Sequence, residues 1–197
     1  LGRNRRDLGP ELAGVRANGQ NLDLNRDYMK LESPEVRALV DLFNAWDPLL
    51  TVDMHTTNGS YHSEPVTYAT LLNANGHPAL ADFMWRKLFP AVARGLKSED
   101  GFDSVPYGNF ADREHPEKGW ESDALEARYG SNYVGLRNRF SILDENYSYA
   151  DFKTRVLASR AFVTRVLAFA AENAGVMAGI ARRADRETAA VFAAAPF

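Results

Sequence analysis

The spacing of apolar residues divides the chain into helical and strand segments. Ser33-Pro34-Glu35 reads as a helix start: Ser33 caps, Pro34 suits the first turn and Glu35 favours the positive end. Val36, Leu39, Val40, Phe43 and Trp46 then recur at helical spacing, and Asp47-Pro48 stops the run. Over residues 49–55 the period changes to two. Leu50, Val52 and Met54 share one face; Thr51, Asp53 and His55 share the other. A second helical pattern over 78–96 groups Leu80, Phe83, Met84 and Leu88, and Pro90 must kink or divide it. Residues 140–144 read as a buried strand. Residues 149–171 read as a helix with Phe152, Val156, Val163 and Leu167 in register.

Between these segments the pattern lapses. Residues 1–20 carry Gly, Pro, Asn and Arg without apolar periodicity and read as loop. Residues 98–131 are rich in Gly, Pro, Asp, Glu and Ser, and so long a loop-like stretch inside a compact domain is more often functional than idle. The expected organisation is one domain over 1–175 and an Ala- and Arg-rich tail over 176–197. Alternating helices and strands predict an α/β sheet domain. In such sheets ligands bind beyond the carboxyl ends of strands, where both His55 and Glu145 fall.

Composition narrows the partners. The chain has 197 residues, 45% hydrophobic and 25% charged, which suffices for one domain with a substantial core. A net charge of -3 gives no basic footprint for nucleic acid. No apolar run reads as a membrane span. Without cysteine, a metal would have to be held by His, Asp or Glu. The opening residues, Leu1 to Asp7, read as the interior of a longer protein.

Several residues carry candidate chemistry. His55 ends a strand, and Asp53, two residues earlier on the same face, is placed to orient an imidazole or to act as a ligand itself. The bland alternative is a hydrogen-bonded structural histidine. Asn25-Arg26 offers a planar guanidinium beside an amide, a receptor for a carboxylate through paired charge-assisted hydrogen bonds; the bland alternative is a solvated turn. Glu145 follows an apolar strand and has the chemistry of a general base, with Asp144 competing for that role because alternation turns one of the two into the site. Tyr129 and Tyr133 close the loop-rich stretch, where a tyrosine can fold over a bound peptide.

Three segments taken together resemble the zinc metallocarboxypeptidases, the carboxypeptidase A and B relatives: Asn21-Leu22-Asp23-Leu24-Asn25-Arg26-Asp27-Tyr28, Val52-Asp53-Met54-His55 and Ile142-Leu143-Asp144-Glu145. The resemblance covers residues 1–170. It implies a mixed central sheet flanked by helices, incomplete at the N-terminus, and hydrolysis of C-terminal peptide bonds with one zinc ion. His55 would be a zinc ligand, Glu145 the general base, and Asn25 and Arg26 the receptor for the terminal carboxylate. Asp23 and Asp53 would support the metal ligands from behind. Tyr129 or Tyr133 would close over substrate, and Arg5 would polarise the scissile carbonyl. The ligand would be a peptide or acylated amino acid with a free C-terminal carboxylate.

The chain also departs from that family. Its first two zinc ligands come from a His-x-x-Glu upstream of Asn-Arg, and no such motif occurs here. His62-Ser63-Glu64 and His115-Pro116-Glu117 have the wrong spacing and come too late. The expectation is therefore the C-terminal part of a catalytic domain. The alternatives are a carboxylate-binding domain without catalysis, and a zinc amidase acting on cell-wall peptides or acylated amino acids.

Overall fold

A computed structural model describes residues 2–3, 12–57, 61–122 and 125–194. Its centre is a four-stranded mixed sheet. β1 (Gly2–Arg3) and β2 (Leu12–Ala13) form a separate short antiparallel pair, so the sheet begins with β3 (Leu50–Thr56). Its other strands are β4 (Val66–Ala69), β5 (Ser104–Pro106) and β8 (Phe140–Asn146) in the order β3-β8-β4-β5. β8 runs parallel to β3 and antiparallel to β4. β6 (Asn109–Phe110) and β7 (Trp120–Glu121) form a small hairpin inside the stretch expected to be loop.

The helices cover the two faces. α1 (Pro34–Trp46) starts where the sequence places it: the Ser33 hydroxyl accepts from the Val36 N–H, and Asp47 ends the helix in a left-handed conformation. α2 (Pro78–Phe83) is followed by a π-helical turn (Met84–Leu88) and then α3 (Phe89–Asp100). Phe83, Met84, Leu88 and Phe89 keep right-handed helical dihedrals, so the helix runs on through Pro90, and the wider turn before it accommodates the missing N–H. α4 (Gly130–Leu136) packs on β8 and β3, while α5 (Phe152–Ala194) packs on β8, β4, α2 and α3.

α5 differs from its sequence reading in register and extent. Its buried face is Ala158, Ala161, Phe162 and Val166, continuing to Met177, Ala181 and Ala184, whereas Phe152, Val156 and Leu167 are exposed. The alanines explain the choice, because small residues let the helix lie close on the strands beneath. The helix also runs on to Ala194. By length and composition it contains a stretch apolar enough to cross a membrane, contrary to the sequence expectation, although part of that stretch is buried in the protein.

The main core lies between the sheet and α2, α3 and α5, with Phe89, Phe140, Phe162, Met84 and Ile142 fully buried. A smaller cluster on the opposite face joins Tyr28, Val36 and Val40 with Leu39, Phe43 and Tyr133. The sheet thus separates an apolar side from a side where Thr51, Asp53, His55, Ser141 and Glu145 emerge.

Candidate functional site

Strand register creates the centre of the site. His55 is the direct partner of Glu145, and Met54 that of Asp144. Partners in a parallel ladder project to the same face, so the two consecutive carboxylates divide: Glu145 shares a face with His55, and Asp144 turns toward α5. There Asp144 accepts a hydrogen bond from the Ser159 hydroxyl at 2.9 Å, and Asn146 donates to the same Ser159 oxygen at 2.7 Å.

Glu145 is 7% exposed, and its Oε2 is buried without a hydrogen-bond partner among the described residues. Burial pushes its carboxyl up to about 7; His55 and Arg16 oppose the rise, and Asp144 and Asp53 reinforce it. His55 Nε2 lies 3.0 Å from Asp53 Oδ1. That contact raises the imidazole above its ordinary value, against the opposing cost of burial.

The segment before α1 supplies the opposite side. Leu24–Arg26 forms a single 3-10 turn capped by Asp23, whose carboxylate accepts from the Asn25 N–H at 3.1 Å. Asp27 is buried and accepts from the Glu32 N–H, the Ser33 N–H and the Ser33 hydroxyl at 2.7–2.9 Å, tying the turn to α1. Asn25 Oδ1 accepts from the Gly130 N–H at 2.9 Å, which joins this segment to the start of α4. Gly130 allows a close approach there: a Cβ would stand 3.0 Å from the Tyr28 ring. The Arg26 guanidinium lies 4.2 Å from the centre of the Tyr129 ring.

The sequence-derived candidates therefore separate. Asp23, Asn25, Arg26 and Tyr129 are linked by direct contacts, and Asp53, His55 and Glu145 form a second group. Tyr133 packs against Tyr28, ring centroids 5.5 Å apart, within the smaller apolar cluster. Arg5 lies outside the described residues. An arginine absent from the sequence candidates, Arg16, joins the first group: its Nε donates to Asp23 Oδ2 at 2.5 Å, and its charge lowers the Glu145 carboxyl and the His55 imidazole slightly. Its signal in the sequence was slight, one arginine in a Gly- and Asn-rich loop. A cavity of about 190 Å³ opens beside Asp53, between Tyr28, Thr51, Ser131, Val134 and Ser141.

The described residues contain no group of three His, Cys, Asp or Glu side chains arranged to hold a metal ion. Zinc sites use three or four protein ligands, so His55 and its neighbours do not fit the ion by themselves.

No protein-family model matches the chain, and no curated protein matches it in sequence. Its fold is similar to that of a metallo-carboxypeptidase from Pseudomonas aeruginosa, whose structure was solved in complex with (2-guanidinoethylmercapto)succinic acid. The two are 19% identical with a TM-score of 0.55, over 83% of this chain and 42% of that one. The chain thus spans less than half the length of that carboxypeptidase. The likeness establishes a carboxypeptidase-like fold with a mixed sheet between helices.

Proposed function

We propose that this chain provides the carboxylate-recognition and proton-transfer side of a carboxypeptidase site, acting on peptides or acylated amino acids with a free C-terminus. The observation that carries the reading is the pairing of His55 with Glu145 at the carboxyl ends of β3 and β8. Arg16 pairs with Asp23 at the Asn25-Arg26 turn, and its charge reaches Glu145. The similarity to a metallo-carboxypeptidase fold supports it, as does the dicarboxylic ligand with which that protein was solved.

In this reading Arg26, held by its stack on Tyr129, receives the substrate's terminal carboxylate through its planar fork, and Asn25 assists. The side chain of the terminal residue occupies the cavity beside Asp53. Its lining comes partly from α4 and β8, through Gly130, Ser131, Val134 and Ser141, and partly from Tyr28, Leu39, Phe43 and Thr51. Arg16 takes the role first given to Arg5 and stabilises negative charge developing on the scissile carbonyl oxygen. Glu145, with its carboxyl near 7, accepts a proton from the attacking water and returns it to the leaving amine. A zinc ion here would need further ligands from outside the described residues.

A second reading, a carboxylate-binding domain without catalysis, is favoured by the lack of a three-ligand cluster among the described residues. Calorimetric titration with benzoyl-glycyl-amino acids, as free acids and as amides, tests both. Saturable binding of the acids alone, lost in Arg26→Ala, supports the recognition site; equal binding of acids and amides ends both readings. Release of the terminal amino acid then selects the enzyme.

A further inference from the structure

Three segments outside the proposed chemistry meet through their aromatic rings beside the carboxyl end of β8. They are the loop before β4, the turn after β8 and the β6–β7 hairpin. Tyr61 stacks on Tyr149 with centroids 4.9 Å apart, and Tyr149 meets Tyr147 edge-on at 5.6 Å. His62 packs on Tyr147 at 4.2 Å and meets Trp120 edge-on at 6.1 Å. Trp120 in turn meets Phe110 across the hairpin at 5.0 Å, and its Nε1 donates to the Pro106 carbonyl at 3.1 Å. Gly108 admits the indole, since a Cβ there would stand 2.5 Å from Trp120 Nε1. His62 is thus the ring that joins the hairpin to the turn two residues past Glu145.

The His62 side chain is 6% exposed, and neither ring nitrogen meets a partner in hydrogen-bond geometry among the described residues. Buried polar groups are nearly always bonded, so this one calls for an explanation. A neutral imidazole packs here as a flat ring. An imidazolium brings a charge and two N–H donors that the enclosure does not satisfy. From its own loop, Glu64 Oε2 stands 4.0 Å from Nδ1, beyond hydrogen-bond reach. Tyr147 faces the ring from the turn after β8, and the hairpin presents Trp120, which does not titrate. Glu64 carries the one charge among the described residues that acts on the ring. Burial holds the imidazole below its ordinary value of 6.5, and the main chain and carboxylate of Glu64 oppose it only in part.

We infer that His62 is a proton-sensitive pin: as a neutral ring it holds the β6–β7 hairpin against the turn after β8, and as a cation it leaves its seat and frees the hairpin. The proton acts as a ligand of the open form, which offers the imidazolium water and a rotated Glu64 carboxylate. Both ring contacts belong to one side chain, so they are lost together. Trp120 then keeps Phe110 and Pro106, neither of which reaches the turn after β8. Because the closed form resists the proton, release sets in below pH 6.5. Neither His62 nor Trp120 takes part in the catalytic reading, so the inference stands or falls apart from it.

The test follows two resonances of the labelled full chain as pH is lowered from about 8 to about 5: the His62 ring carbon and the Trp120 indole N–H. The His62 midpoint is expected below 6.5, with the Trp120 signal moving at the same midpoint. In His62→Phe, which keeps a flat ring and has no proton to take, the Trp120 signal should stay at its neutral-pH position throughout. Glu64→Gln removes the charge that favours the proton and should lower both midpoints together. A His62 midpoint at or above 6.5, a Trp120 signal that stays still while His62 titrates, or midpoints that separate in Glu64→Gln would overturn the proposal. So would a Trp120 transition that persists in His62→Phe, since it would belong to another group. If His62→Phe does not fold, the two wild-type midpoints decide alone.

Discussion

β8 carries two buried carboxylates one residue apart, and the two faces of the sheet treat them differently. Asp144 is 0% exposed and bonded to Ser159 on the apolar side, at the margin of a core made by Phe140, Ile142 and Phe162. Glu145 lies on the side where polar residues from separate parts of the chain converge; each carboxylate keeps one buried oxygen without a hydrogen-bond partner among the described residues. Both carboxyls are pushed up, chiefly by burial, Asp144 to about 6 and Glu145 to about 7. Similar titration thus accompanies different surroundings. A raised pKa alone does not identify a reacting group; the geometry of the neighbours does.

The sharpest way to break the contrast is to damage the apolar side and watch the other. Phe162 is fully buried and stacks near Tyr68, centroids 6.0 Å apart. Phe162→Ala should cost about 3–5 kcal/mol of stability in urea unfolding. Carboxylate binding by the chain that remains folded should be unchanged. A loss of binding in folded protein would mean the two faces are coupled.

Glu145→Gln keeps shape and removes the proton acceptor. In the assembled enzyme turnover should fall at least about a hundredfold, while affinity for free-acid ligands stays within about twofold. If Asp144→Asn abolishes turnover and Glu145→Gln does not, the assignment of faces is reversed.

The parts legible in the sequence are those fixed by local chemistry. The Ser33 cap, the alternation of β3 and the widened turn before Pro90 follow from residues adjacent in the chain. β4 was not legible: its four residues are buried on both faces and show no alternation. The register of α5 is not legible from its large residues, because alanines rather than Phe152, Val156 and Leu167 are buried along it. Choosing between Asp144 and Glu145 requires strand pairing, and Arg16 meets Asp23 only once the chain has folded.

Arg26→Lys sharpens the recognition side. Lysine keeps the charge but loses the planar fork stacked on Tyr129, so free-acid ligands should bind roughly ten- to a hundredfold more weakly, about 1.5–3 kcal/mol. Amidated ligands, weak from the start, should hardly change. Equal losses on both would make Arg26 a structural residue of the turn.

The smallest expected effect is a gain. Asp144 has an ordinary carboxyl value near 3.8 and is raised to about 6 in the folded protein, burial acting first and the Ser159 bond and His55 partly opposing it. Between those values the folded state holds the proton more tightly than the unfolded state. Stability therefore declines as pH rises from about 4 to about 6 and stays lower above that. Asn keeps the acceptor for Ser159 and has no charge to desolvate. Asp144→Asn should match wild type below about pH 4 and exceed it by about 1–3 kcal/mol at pH 8, with a flatter stability profile in between. Urea unfolding at pH 4, 6 and 8 measures both. A variant less stable than wild type at pH 8 would show that the ionised Asp144 is favourably held, and that the two carboxylates of β8 are set apart by charge as well as by direction.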